Sequence, residues 1–121
     1  MSSPAVPKNG DIEFSTGDDC KFGVRWRHDG VPVDISGYTA ELKARTHLDA
    51  PEAALELSTN DGIILDAAKS IAFVVISRDL SVSLKGRYTW DLVMIAPDGT
   101  ETMVRRGGFM FRLRNTRPNQ P

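Results

Sequence analysis

The fold is decided between Arg87 and Arg114, where the chain reads RYTWDLVMI (87–95), APDGTE (96–101), TMVRR (102–106) and GGFMFRLR (107–114). Tyr88, Trp90, Leu92 and Met94 alternate with Thr89, Asp91, Val93 and Ile95. A period of two places the two sets on opposite faces of an extended strand. Pro97-Asp98-Gly99-Thr100 follows. Asp-Gly accepts positive φ, so the chain can reverse sharply into Glu101–Arg105. The stretch predicts a central β-hairpin with a third strand after Gly107-Gly108. In that last strand Phe109, Phe111 and Leu113 share the buried face and Arg112 and Arg114 the outer one. Trp90 is the largest side chain here and is expected to dominate a small core.

Outward from this hairpin the same grammar repeats. Cys20–His28 places Phe22, Val24 and Trp26 on one face, with Gly23 marking a bulge or a close backbone approach. Asp29-Gly30 is a second hairpin signal, and Pro32 restricts Val31–Ile35 to an edge or a short strand. Tyr38–Arg45 alternates Ala40, Leu42 and Ala44 against Thr39, Glu41, Lys43 and Arg45, one face buried and one wet. Ala53–Leu57 reads as a strand, and Ser58–Gly62 as a turn. Ile63–Leu65 and Ser70–Ser77 pair across Asp66–Lys69. The run Ile71–Ile76 suits a strand buried on both faces. Arg78–Lys85 breaks the rhythm: Asp79 can cap a short helical turn carrying Leu80 and Leu84 on one side. Turns recur every 8–12 residues or so, the rhythm of a sandwich or barrel. The expected core is Phe22, Val24, Trp26, Leu42, Ile71, Phe73, Val75, Tyr88, Trp90, Leu92 and Phe111.

The chain has 121 residues, room for one domain with its own core. Fifteen basic and 16 acidic residues leave it near neutral, so net charge predicts no polyanionic partner. From Glu101 onward, however, five arginines (Arg105, Arg106, Arg112, Arg114, Arg117) face one acid, a net charge of +4. A solvated edge strand with a basic tail accounts for this charge; so does a docking strip for an acidic partner. Cys20 stands alone, which excludes an internal disulfide and fits assembly in a reducing cytoplasm. The opening MSSPAVPKNG lacks the apolar core of a signal peptide, and no apolar run approaches the roughly 20 residues of a membrane helix.

No enzymatic constellation emerges. His28 and His47 are the only histidines, one at a strand end and one in a loop. C-x-x-C, H-E-x-x-H, G-x-S-x-G and phosphate-binding glycine loops are absent. Asp18, Asp19, Asp61 and Asp98 sit in turns, where Asp bonds its own backbone, and lack the ligand spacing of a calcium loop. Phe109, Phe111 and the arginines interleave aromatic and basic residues as single-strand binders do. The two phenylalanines share a core face, though, so no nucleic-acid partner is expected. Catalytic, cofactor-binding and metal sites are all read as none.

Several segments together are similar to a family. Gly30 to Ala40 matches the phrase G-x-P-V-D-[IL]-[ST]-G-[YW]-[TS]-A. Val82 to Leu92 matches L-x-x-G-x-Y-x-W-D-L, with Leu84 shifted from the usual leucine position. With FGVRW, NDGIIL, SIAFVVIS and RRGGFMF, these resemble small β-sandwich structural proteins of tailed bacteriophages, of the tail, baseplate and fibre-attachment type. The resemblance runs over about 100 residues, Asp11 to Phe111. It implies a virion structural role, with assembly in the host cytoplasm and other virion proteins or copies of the chain as partners. It carries over no enzymatic site.

The expected architecture is all-β: a single antiparallel, immunoglobulin-like sandwich of about seven to nine strands with one short helical turn. The expected organisation is an extended arm over 1–10, a sandwich over 11–114 and a tail over 115–121. Candidate subunit contacts are Arg105, Arg106, Arg112, Arg114 and Arg117, with Pro4 and Pro7 in the arm. A host-receptor or carbohydrate module using loops His47–Pro51 and Thr59–Gly62 is the competing reading. A capsid decoration protein of the same fold is another.

Overall fold

The computed structural model describes residues 11–113. The strands are β1 (Ile12–Ser15), β2 (Cys20–Arg25), β3 (Arg27–His28), β4 (Val31–Pro32) and β5 (Thr39–Arg45). They continue with β6 (Leu55–Thr59), β7 (Gly62–Asp66), β8 (Ile71–Ile76), β9 (Gly86–Ile95) and β10 (Glu101–Arg112). A single-turn helix α1 (Arg78–Ser81) lies between β8 and β9.

Eight strands run in the order β1-β10-β9-β5-β6-β7-β8-β2, and β3-β4 form a separate hairpin. The strand β2 ends this order, yet Phe22 on β2 lies 5.5 Å from Trp90 on β9 and 5.8 Å from Phe109 on β10. The sheet therefore folds over on itself. The corner is β6–β7, where pairing shrinks to Ser58↔Gly62 and Thr59↔Ile63. The layer β7-β8-β2 covers the inner face of β1-β10-β9-β5-β6. In immunoglobulin lettering β2, β8 and β7 are B, E and D, and β5, β6, β9 and β10 are C, C′, F and G. The fold is an all-β, immunoglobulin-like sandwich, as expected. It departs from a purely antiparallel one at β1, which runs parallel to β10, Ile12↔Phe109 through Ser15↔Arg112, and at the short β6–β7 corner, which also pairs in parallel.

The turns follow their chemistry. Asp29 and Gly30 have φ of 53° and 80°, the two positive values a type I′ turn demands, and they join β3 to β4. At the β9–β10 tip Gly99 takes φ 92°, and its N–H donates to Ala96 O at 2.8 Å. The expected third strand after Gly107-Gly108 does not exist separately: β10 is one strand of 12 residues, bulged between Met103 and Arg105. The glycines do not break it. Gly107 lies opposite Trp90, and a Cβ at Gly108 would sit 2.8 Å from Asp11 Oδ1. Gly108 marks a close approach rather than a chain reversal.

The helix also corrects its expected cap. Ser77, not Asp79, is the N-cap residue, and its side chain makes no capping bond. The Arg78 N–H instead donates to Asp19 Oδ1 at 2.9 Å, across 59 residues of sequence. Leu84 is buried but Leu80 is 42% exposed, so the two do not share an environment.

The core is aromatic at its centre. Trp90 stacks on Phe109 at 5.1 Å and 11°, and Phe14, Phe22 and Phe111 pack around them. Tyr88 OH accepts from Lys85 N–H at 3.0 Å, the tyrosine corner of immunoglobulin-like domains. Two residues on, where antibody domains carry the second cysteine of a disulfide between strands B and F, this chain carries Trp90. Its contact with Phe22 joins the same two strands. Phe22, Val24, Leu42, Ile71, Trp90, Leu92 and Phe111 are buried as expected. Trp26 and Tyr88 are half-buried against the core. Phe73 and Leu113 contradict expectation at 40% and 55% exposed, and Val75 is half-buried. In β8 the residues facing inward are Ala72, Val74 and Ile76.

Candidate interaction surfaces

The polar residues at the β1–β2 turn are consumed by the fold. Thr16 Oγ1 donates to Leu84 O at 2.7 Å, and Ser81 Oγ donates to Asp18 O at 2.6 Å while accepting from Gly17 N–H at 3.0 Å. Thr16 and Ser81 are buried, so this is an internal latch that fixes α1 against the turn. Cys20 is buried beside it. Burial, then the carboxylates of Asp18 and Asp19, push its thiol up to about 12, so it stays protonated and unreactive at neutral pH.

The arginines do not form one strip. Arg105 is half-buried at the bulge of β10, displaced because Val104 turns against the core. Arg106 is exposed opposite Asp91. Arg112 lies six residues further along, about 20 Å at 3.3 Å per residue. Its Nη2 donates to Glu13 Oε2 on β1 at 3.1 Å, with the two side chains 60% and 64% exposed. Such a pair contributes about 0–1 kcal/mol and leaves Arg112 able to exchange Glu13 for another carboxylate. Arg114, Arg117, Pro4 and Pro7 lie outside the described residues.

The loops named for a receptor site do not converge. His47–Pro51 precedes β6 and Thr59–Gly62 follows it, so they occupy opposite ends of that strand, about 16 Å apart. Asn60 and Gly62 hold positive φ, and Thr59 Oγ1 accepts from Ala40 N–H at 2.7 Å, so the second loop is bound into the sheet.

Two outer faces remain, and they differ in kind. On the larger layer the register aligns Glu56, Lys43, Asp91 and Arg106 in one row across β6, β5, β9 and β10. Charge alternates along that row, which suits a wet face. On the smaller layer the register aligns Ile64, Phe73 and Gly23 across β7, β8 and β2. Ile64 is 58% exposed. Phe73 and Ile71 lie over the hollow at Gly23, where a Cβ would meet Ile71 Cγ2 at 3.3 Å and the Phe73 ring at 3.5 Å. Beside this row a groove of about 470 Å³ runs between β7 and α1, with Leu57, Ile64, Val75 and Leu80 on its walls and the polar Asn60, Asp61 and Ser77 among them. This apolar face was not anticipated. The unbroken apolar run Ile71–Ile76 reads as a strand buried on both faces, but a domain this small has no third layer to cover the outer one.

Among the described residues no three His, Cys, Asp or Glu side chains gather as a metal site would require. No helix among them is long and apolar enough to cross a membrane. No family model and no curated protein matches the sequence. A solved structure of murine CRIg is similar to this chain, with a TM-score of 0.45 and 12% identity, over 94% of this chain and 100% of that one.

Proposed function

We propose that this chain is a non-enzymatic structural protein of a tailed-bacteriophage virion, placed in the tail, baseplate, fibre-attachment or head-to-tail region. It acts through contacts with other virion proteins and with copies of itself. The observation that carries the reading is the pair of motif segments, Gly30–Ala40 and Val82–Leu92, that resemble such proteins. Both serve the scaffold: Gly37 takes φ 79°, Tyr88 forms the corner and Trp90 centres the core. What the scaffold presents outward is a charged face, an apolar face and the exposed Arg112 on β10 beside the edge strand β1, the materials of protein contacts. Labelling the chain in purified particles and imaging them tests this directly. A ring of label at the tail or neck is expected. Its absence from particles would overturn the reading, and label spread over the capsid would make the chain a decoration protein.

A host-receptor or carbohydrate module is the second reading, favoured by Leu48, which stands 66% exposed in the His47–Pro51 loop. A saturable hit on a glycan array, lost on Leu48→Ser, would move the assignment there.

A further inference from the structure

We propose that the outer face of β7, β8 and β2 is a self-pairing surface, on which a second copy of this chain docks about a two-fold axis parallel to β8. The argument starts from register. Three strands share this face with β8 in the middle, Ile64↔Phe73↔Gly23 in one row and Asp66↔Ile71↔Arg25 in the next. Val75 on β8 lies opposite Lys21 on the other side of the Phe73 row. A face that meets its own copy must be self-complementary under the symmetry that relates them.

A two-fold axis along β8 lays β7 of one copy over β2 of the other and keeps each row in place. Asp66 then meets the partner's Arg25, and Arg25 the partner's Asp66. Ile64, which stands 58% exposed, meets the partner's Gly23, which the partner's own Ile71 and Phe73 side chains flank. Phe73 meets Phe73 and Val75 meets Val75 along the axis. Positive opposes negative in this operation. An axis across the strands does the reverse: it sets Arg25 over the partner's Lys21 and Ile64 over Ile64. Like charges then face each other, so the charge pattern selects one orientation. Face-to-face sheets separate by about 10 Å, a gap that side chains of this size fill. Apolar burial of Ile64, Phe73 and Val75 supplies the attraction, and the charged pairs set the orientation.

The pairing deepens the virion reading and rests on it for its biological meaning, but it is a property of the isolated chain and is tested there. Sedimentation of the full chain at up to about 1 mM should show a concentration-dependent dimer. Phe73→Lys should weaken it about tenfold or more. Arg25→Asp and Asp66→Arg each set like charges against each other and should each sediment as monomers. Mixed in equal amounts, these two variants should pair as the unaltered chain does, because each presents the complement of the other. Asp66 Oδ1 also accepts from Lys69 N–H at 3.2 Å. Asp66→Asn keeps that acceptor while removing the charge, and it should weaken the dimer without lowering the melting temperature. A monomeric unaltered chain at every concentration would overturn the proposal, as would single variants that dimerise normally or a mixture that fails to pair. A monomeric chain whose Phe73→Lys variant is excluded from particles would assign the face to a different virion protein. That outcome ends self-pairing and leaves the virion reading, judged by particle labelling, intact.

Discussion

The two outer faces of the sandwich are built on the same alternation and end in opposite chemistry. Across β6, β5, β9 and β10 the outward row is Glu56, Lys43, Asp91, Arg106; across β7, β8 and β2 it is Ile64, Phe73, Gly23. Both layers bury their other face in one aromatic core. The difference teaches that burial in the isolated chain does not account for the composition of β8. Nothing in the inward packing requires an aromatic at Phe73, whereas the inward row of β9 requires Trp90.

Four measurements would break or sharpen that contrast. The largest effect belongs to the shared core. Trp90→Ala should destabilise by about 3–5 kcal/mol in denaturant unfolding, since the ring is 3% exposed and stacks on Phe109. Trp90→Phe should cost less, because Trp90 Nε1 is buried without a hydrogen-bond partner among the described residues. An unchanged melt for Trp90→Ala would contradict the position of the core. Next comes the latch: Ser81→Ala strands Gly17 N–H in a buried site and should cost about 1–3 kcal/mol. A loss under about 0.5 kcal/mol would show the turn to be held by other means.

The faces themselves give the third comparison. Phe73→Ala removes a ring only partly covered and should cost about 1–2 kcal/mol. Asp91→Asn on the charged face should stay within about 0.5 kcal/mol. Equal costs would erase the distinction between the faces. The smallest effect is a pH dependence at Cys20, whose folded-state value of about 12 stands above the free-thiol value of 9.0. A raised folded value means its contribution is intact below pH 9.0 and is lost as pH rises toward about 12. The melting-temperature difference between the unaltered chain and Cys20→Ala should shrink over that window. A flat difference would place the thiol in water.

Most of the fold was legible in the residues. Asp29-Gly30, Pro97–Gly99 and the alternation of β5 and β9 carry local instructions, and the structure follows them. What local pattern could not supply was the partner of each edge. The parallel pairing of β1 on β10 joins residues almost 100 positions apart, so neither the Arg112–Glu13 pair nor the exposure of Leu113 beyond it could be foreseen. Asp19 capping α1 is illegible for the same reason. Gly107-Gly108 misled because glycine signals both chain reversal and close approach, and only tertiary structure tells them apart. Of the candidate contacts, the outward position of Arg112 followed from period two. The displacement of Arg105 did not, because a bulge resets that period. The apolar face is present in the sequence as Ile71–Ile76 but reads there as interior, since hydropathy does not say what covers a strand.

The parallel alignment of β1 and β10 also has a mechanical meaning. The domain is entered at Ile12, beside Phe109, and left after Arg112, beside Ser15. Tension applied between those two points draws β1 and β10 in opposite directions along their shared axis. The hydrogen bonds between them lie across that axis and are strained together, in shear, instead of opening one after another from an end. A strand pair loaded this way must yield as a unit before the aromatic core is exposed to force.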